Sequence, residues 1–165
     1  MNSSRNSFEM VFCSRFIILQ SVVTRYLFVQ KVVNCCMKKY ENFCKALNNL
    51  KEIQKEIPPY STVVQTGMVS LYEICFEQAW KAMKEVLENN GYSQHKIGSP
   101  RTIIKMAYQA NLIDDEDCWL EALRDRNNVA HSYNEEIANN IIKDSKEKYI
   151  AMFEGLQREI EKNWL

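Results

Sequence analysis

From residue 37 onward, apolar side chains recur at steps of three and four, the period of helices that bury one face. In YENFCKALNNLKEI, Tyr40, Phe43, Leu47, Leu50 and Ile53 form one stripe. This predicts an amphipathic helix that Pro58 and Pro59 terminate. From about Val63 to Asn89, Met68, Leu71, Tyr72, Cys75, Ala79, Met83, Val86 and Leu87 keep the same period. The longest helix is expected there, with Gly91 where a C-cap belongs. In GSPRTIIKMAYQANLI, Ser99 as N-cap and Pro100 at the first helical position predict a short helix to about Asn111.

DDEDCWLEALRDRNNVA opens with acids suited to a helix N-terminus and is expected to bury Trp119, Leu120 and Leu123. Ser132 and Glu135 have capping-box spacing. A last helix is predicted from there through Ile141, Ile142, Tyr149, Phe153 and Leu156 towards Trp164. With four glycines and three prolines in the whole chain, few turns interrupt these helices. The pattern predicts an all-α protein, an antiparallel bundle of four to five helices.

Residues 1–36 have another texture, rich in β-branched and aromatic residues, with four basic residues against one acidic. Their apolar stretch from Phe16 to Val33 is interrupted by Gln20, Arg25, Gln30 and Lys31, which is costly in a membrane, and no small-residue cleavage site follows an apolar core. We expect a dispensable extension or a misassigned start with Met37 as the working one; a docking or membrane-associated segment is the alternative. The domain proper is then 37–165.

Composition narrows the function. The 165 residues carry 21 Lys plus Arg and 21 Asp plus Glu, a balance that argues against coating nucleic acid by bulk charge while leaving a local basic cleft open. Cysteines 13, 35, 36, 44, 75 and 118 show no CxxC spacing, so reduced thiols in a cytoplasmic protein without a metal or cofactor are expected. No internal repeat is present.

The chemistry concentrates in RDRNNVAHSY, residues 124–133. On one unbroken helix, Arg126 and His131 would stand about 140° apart around the axis and about 7.5 Å along it, whereas Tyr133 would return to within roughly 20° of Arg126. Arg126 and His131 therefore meet only if the helix breaks near His131 or if a second copy of the chain completes the site across a two-fold axis. In either case the histidine can sit near a helix N-terminus, which attracts phosphate and favours neutral imidazole. A neutral imidazole can take the proton from a ribose 2′-hydroxyl or return one to a leaving oxygen. An arginine fork binds two phosphate oxygens, and Asn127 or Asn128 could orient either partner. By composition alone, a polar helix end of this kind is more often structural.

The run R-N-N-V-A-H-S-Y resembles the Arg-x4-His-x-Tyr signature of the HEPN superfamily, in which a polar residue, here Asn127, commonly follows the arginine. MKKYENFCKALNNLKEI, GMVSLYEICFEQAWKAMKEVLENNGY, SPRTIIKMAYQANLIDDEDCWLEALRDRNNVAHSY and the helical tail resemble one branch, the nucleotidyltransferase substrate-binding proteins. The resemblance spans about Met37 to Trp164. It implies a four-helix-bundle homodimer whose Arg–His pairs face a shared cleft, and a minimal nucleotidyltransferase encoded nearby. Related modules resemble toxin–antitoxin pairs, in which a metal-independent ribonuclease is neutralised by AMP added to the motif tyrosine. Carried over, Arg126 binds phosphate, His131 is the acid/base and Tyr133 the AMP acceptor, where the adduct's bulk and negative charge would exclude RNA.

Other candidates have plainer readings. Glu73 and Glu77 read as a solvated face with Lys81 at the favourable spacing to Glu77. Trp80 and Trp119 read as core or dimer-interface residues, His95 as a loop residue, and Arg124 and Asp125 as ordinary helix surface. KDSKEKY, residues 143–149, reads as the charged outer face of the last helix. Three functions compete: a metal-independent endoribonuclease, a non-catalytic subunit that binds a nucleotide or other substrate for its partner, and a purely structural bundle. Balanced charge favours the second, the intact Arg, His and Tyr triplet the first, and the third leaves the polar cluster unexplained.

Overall fold

The structure, a computed structural model, describes residues 37–92, 98–129 and 134–165. The chain divides into Met1–Cys36 and Met37–Leu165, and the described residues all belong to the second unit. They form helices and connections without a strand. Helix α1 (Lys38–Lys51) tightens into a 3-10 turn over Glu52–Lys55. Then come α2 (Thr62–Asn89), α3 (Pro100–Gln109) and α4 (Glu116–Asn128). Helix α5 (Glu135–Asp144) passes through a π turn (Ser145–Tyr149) into α6 (Ile150–Asn163), giving five helical rods. Among these helices none is long and apolar enough to cross a membrane.

The ends follow local chemistry. Ser61 caps α2, and Gly91, at φ +82°, closes it: the Tyr92 N–H donates to the Leu87 carbonyl at 2.9 Å. Ser99 and Pro100 open α3 as expected. That helix stops at Gln109 because Asn111 takes the left-handed conformation, φ 57°, and Leu112 N–H donates back to the Ala107 carbonyl at 2.8 Å. Asp115 caps α4, accepting from Cys118 N–H at 2.9 Å. The predicted capping box at Ser132 gives way to another cap: α5 starts at Glu135, with Asn134 accepting from Glu136 N–H at 2.9 Å. Ser132 lies outside the described residues.

Contacts between ends set the directions. The start of α1 meets the end of α2, where Glu85 accepts from the Lys39 and Tyr40 N–H groups at 2.8 and 3.0 Å. It also meets the end of α6, where Tyr40 donates to Glu161 at 2.9 Å, so α1 runs antiparallel to both. Helix α4 is antiparallel to α2: Trp119 packs on Phe76, and the later Arg126 reaches back to Glu73.

The core is continuous. Phe43, Phe153, Trp119, Phe76, Tyr72 and Tyr149 form an aromatic chain with neighbouring centroids 5.4–6.5 Å apart. The expected stripes of α1 and α2 are inside, except that Leu71 is half-buried. In α4 the buried pair is Trp119 and Ala122, while Leu120 and Leu123 are only partly covered. The correction has a geometric cause, since Leu120 follows Trp119 by about 100° of helical rotation and both cannot face the same neighbour. The segment 143–149 also departs from the solvated face expected. Ser145 is buried, Lys146 donates to the Glu56 carbonyl at 2.7 Å, and Lys148 pairs with Glu121 at 2.9 Å, while Tyr149 is buried as its place in the helical stripe predicts.

If Trp119 is the keystone of α4, Trp119→Ala lowers stability by about 3–5 kcal/mol, while Leu120→Ala costs clearly less. Urea unfolding followed by circular dichroism checks the ranking, and equal losses would contradict this helix register.

Candidate functional site

Helix α4 ends at Asn128, and α5 begins only at Glu135. The α-helix that carries Arg126 therefore stops three positions short of His131 in the chain. His131 and Tyr133 themselves, like His95, lie outside the described residues.

Arg126 sits about two turns along the same stripe as Trp119 and Ala122, at spacing i, i+3, i+7, and so faces inward. Its side chain is half-buried against α2. Nη2 stands 3.4 Å from Glu77 Oε2 and 4.0 Å from Glu73 Oε1, and Nη1 is 3.5 Å from Asn127 Oδ1. Nε is buried and has no hydrogen-bond partner among the described residues. The carboxylates expected to be a solvated face thus hold the key arginine, loosely. Ion pairs this long and partly exposed contribute little, typically under about 1 kcal/mol. A phosphate able to accept two short bonds from the guanidinium can displace them.

Glu77 is the hub. It accepts from Trp80 Nε1 at 2.9 Å and from Lys81 Nζ at 2.8 Å, the pairing foreseen from spacing, besides holding Arg126. Burial alone would raise its carboxyl; the Lys81 and Trp80 bonds and the Lys81 and Arg126 charges outweigh that and hold it below the ordinary value of 4.5. Trp80, expected as core or dimer interface, is half-buried and packed against the core.

Asp125 is not ordinary surface. Tyr149, delivered by the π turn, donates to Asp125 Oδ2 at 2.5 Å, and Tyr72, stacked on Tyr149, donates to the Ala122 carbonyl at 2.6 Å. Burial raises the Asp125 carboxyl, as do Asp144 and Glu121, against the opposing Tyr149 bond. Two tyrosines thus pin the last turns of α4, the turns that carry Arg126.

Asn127 and Asn128 are exposed and line a different feature, an open cavity of about 950 Å³ shared with Leu120, Leu123, Arg101 and Arg124. Asn127 lies between that cavity and Arg126, whose Nη1 donates to its Oδ1 at 3.5 Å. Among the described residues no group of three or more His, Cys, Asp or Glu side chains is placed to hold a metal. Cys75 is buried, which pushes its thiol well up and suits it to packing, not attack.

The fold is an all-α bundle, with Arg126 half-buried at the end of its fourth helix. The family model described as nucleotidyltransferase substrate binding protein like matches residues 38–162, and the chain belongs to that family. A Thermus thermophilus protein of known structure is 27% identical, with a TM-score of 0.66 over 73% of this chain and 99% of its own. A Haemophilus influenzae protein, whose structure is described as revealing the fold of a substrate binding domain of a nucleotidyltransferase, is 18% identical, with a TM-score of 0.57 over 80% and 98%. That second likeness shows the fold. No curated protein matches the sequence.

Because the native state lowers the Glu77 pKa, its contribution to stability is full above pH 4.5 and fades as pH falls through the native value. The stability difference between wild type and Glu77→Gln should shrink on acidification below that point, as followed by urea midpoints from pH 7 to 3. A gap that widens on acidification would contradict the assignment.

Proposed function

We propose that this protein is the substrate-binding-type partner of a minimal nucleotidyltransferase and acts, as a homodimer, as a metal-independent endoribonuclease that the partner silences by AMP addition to Tyr133. The observation that carries this reading is Arg126: a guanidinium fixed on the final turn of α4 yet held only by long contacts to Glu77 and Glu73, with a buried N–H left over. A phosphate is the ligand that such a group would exchange those contacts for.

In the reaction, His131 takes the proton from a ribose 2′-hydroxyl. The 2′-oxygen attacks the adjacent phosphorus, the bond from phosphorus to the 5′-oxygen breaks, and that oxygen receives a proton; the product is a 2′,3′-cyclic phosphate. Arg126 stabilises the charge that builds on the phosphorane oxygens. Asn127 and Asn128 are the orienting groups. Silencing transfers AMP from ATP to the Tyr133 oxygen and releases pyrophosphate, adding bulk and negative charge that exclude RNA. The partly covered Leu120 and Leu123 on the cavity side of α4 are the apolar surface we assign to the second copy.

One observation favours the non-catalytic alternative, a nucleotide-binding or substrate-binding subunit for the nucleotidyltransferase. Glu73 and Glu77 offset the Arg126 charge in a chain with no net charge, which weakens attraction for long RNA.

Transfer RNA incubated in chelator should be cut by wild type and left intact by His131→Ala; equal, intact RNA in both lanes refutes the enzyme and leaves the binding subunit. Co-expression with the partner should add one or more AMP masses to the Tyr133 peptide. Leu123→Lys should shift the sedimentation coefficient from dimer to monomer without loss of helicity.

A further inference from the structure

The Glu77 hub connects Arg126 to a second feature. Trp80 and Arg126 share one oxygen, Glu77 Oε2, at 2.9 and 3.4 Å, so the two donor nitrogens stand within about 6.3 Å of each other. From there the indole lines a groove between the start of α1 and the end of α2, a cavity of about 340 Å³ completed by Lys39, Lys81, Lys84, Glu85 and Glu88. That volume falls at the lower end of the roughly 300–1,000 Å³ typical of small-ligand sites.

The charges in the groove are unequally committed. Glu85 is taken up by the first N–H groups of α1, at the positive end of that helix. Glu88 reaches Lys84 only at 3.7 Å, an exposed pair of little worth. Lys81 serves Glu77 and stands 5.8 Å from the Trp80 ring centre. Lys39 has no ion-pair partner among the described residues. Ammonium groups around a half-buried indole suit a group that is anionic on one side and flat and aromatic on the other, which is the chemistry of a nucleotide.

We propose that the groove of Lys39, Trp80, Lys81 and Lys84 is a nucleotide subsite continuous with Arg126: a base stacks on the Trp80 indole, its outer phosphate is held by Lys39 and Lys84, and the neighbouring phosphate lies on Arg126. Trp80 and Arg126 are close enough for one strand to reach both, and stacking on the indole needs an unpaired base, so the subsite selects single-stranded substrate. The assignment rests on the reading of Arg126 as a phosphate ligand. It also gives Glu77 a positioning role, since one carboxylate orients both the indole and the guanidinium.

The test is fluorescence anisotropy with a labelled single-stranded hexaribonucleotide, using the full chain in chelator, with ATP as competitor in a second arm. Trp80→Leu should weaken binding by about fivefold or more, the loss of one stacked base, and Trp80→Phe should restore part of it. Lys39→Ala and Lys84→Ala should each lower the slope of log affinity against log salt by about 0.7, a change that mere loosening of the fold would not produce. Circular dichroism confirms folding of each variant. Competition by ATP at the hexanucleotide's own affinity would identify a mononucleotide as the occupant; its failure identifies the strand. Absence of cleavage with Trp80-dependent binding would overturn the ribonuclease and keep the subsite. Binding lost on Arg126→Gln but equal to wild type in Trp80→Leu and both lysine variants would overturn the subsite alone. Failure of the hexanucleotide and ATP to bind at millimolar concentration would overturn it as well.

Discussion

The burial of Trp119 against Phe76 and Phe153 is the constraint on which the remainder of the structure depends. Once that indole and Ala122 face the core, the helical period leaves no choice about Arg126: seven positions after Trp119, it returns to nearly the same face and meets α2. Solvent-facing alternatives are closed to it without rotating Trp119 out of its aromatic contacts. Arg126 is thus placed by hydrophobic packing rather than by any polar interaction of its own.

Tyrosine contacts hold that placement. The π turn at Ser145–Tyr149 begins where the buried Ser145 hydroxyl donates to the Ile141 carbonyl at 2.7 Å, and it brings Tyr149 under α4. A wide turn of this kind is uncommon and often sits beside functional positions. Here its consequence is visible in the hydrogen bond to Asp125, whose neighbour in the chain is Arg126. Tyr72 adds a second bond to the backbone of the same helix. The rigidity is all on the scaffold side, while the guanidinium has only long contacts.

That contrast leaves Arg126 loosely held in a chain with no net charge. Glu73 and Glu77 lower the cost of half-burying Arg126 in the unliganded protein, at the expense of part of its attraction for phosphate. Glu77 also engages Trp80 and Lys81, so the contacts of Arg126 continue along α2 to residues that line the lysine groove. The two features are electrostatically one surface.

Local and periodic properties were legible from residue order alone. The stripes of Tyr40 to Leu50 and Met68 to Leu87, the Ser99 and Pro100 start, the Gly91 stop and the Glu77–Lys81 pair all depend on residues within one or two turns of each other. The polar run around Arg126 was equally visible. Errors arose where a choice between adjacent faces mattered. Leu120 and Leu123 are as apolar as a buried pair, and only packing against Phe76 and Phe153 decides that Trp119 and Ala122 go inside. Asp125 and Arg126 look alike as helix surface until Tyr149 and Glu77, 24 and 49 residues away, arrive beside them. Sequence by itself determined the helices, the Ser99 start, the Gly91 stop and the residue types available for chemistry, since these follow from short-range sterics and periodicity. Which of those residues meet was decided only in the tertiary structure, because contacts between helices depend on the rotation of each about its axis, and a single sequence records no distance between residues far apart in the chain.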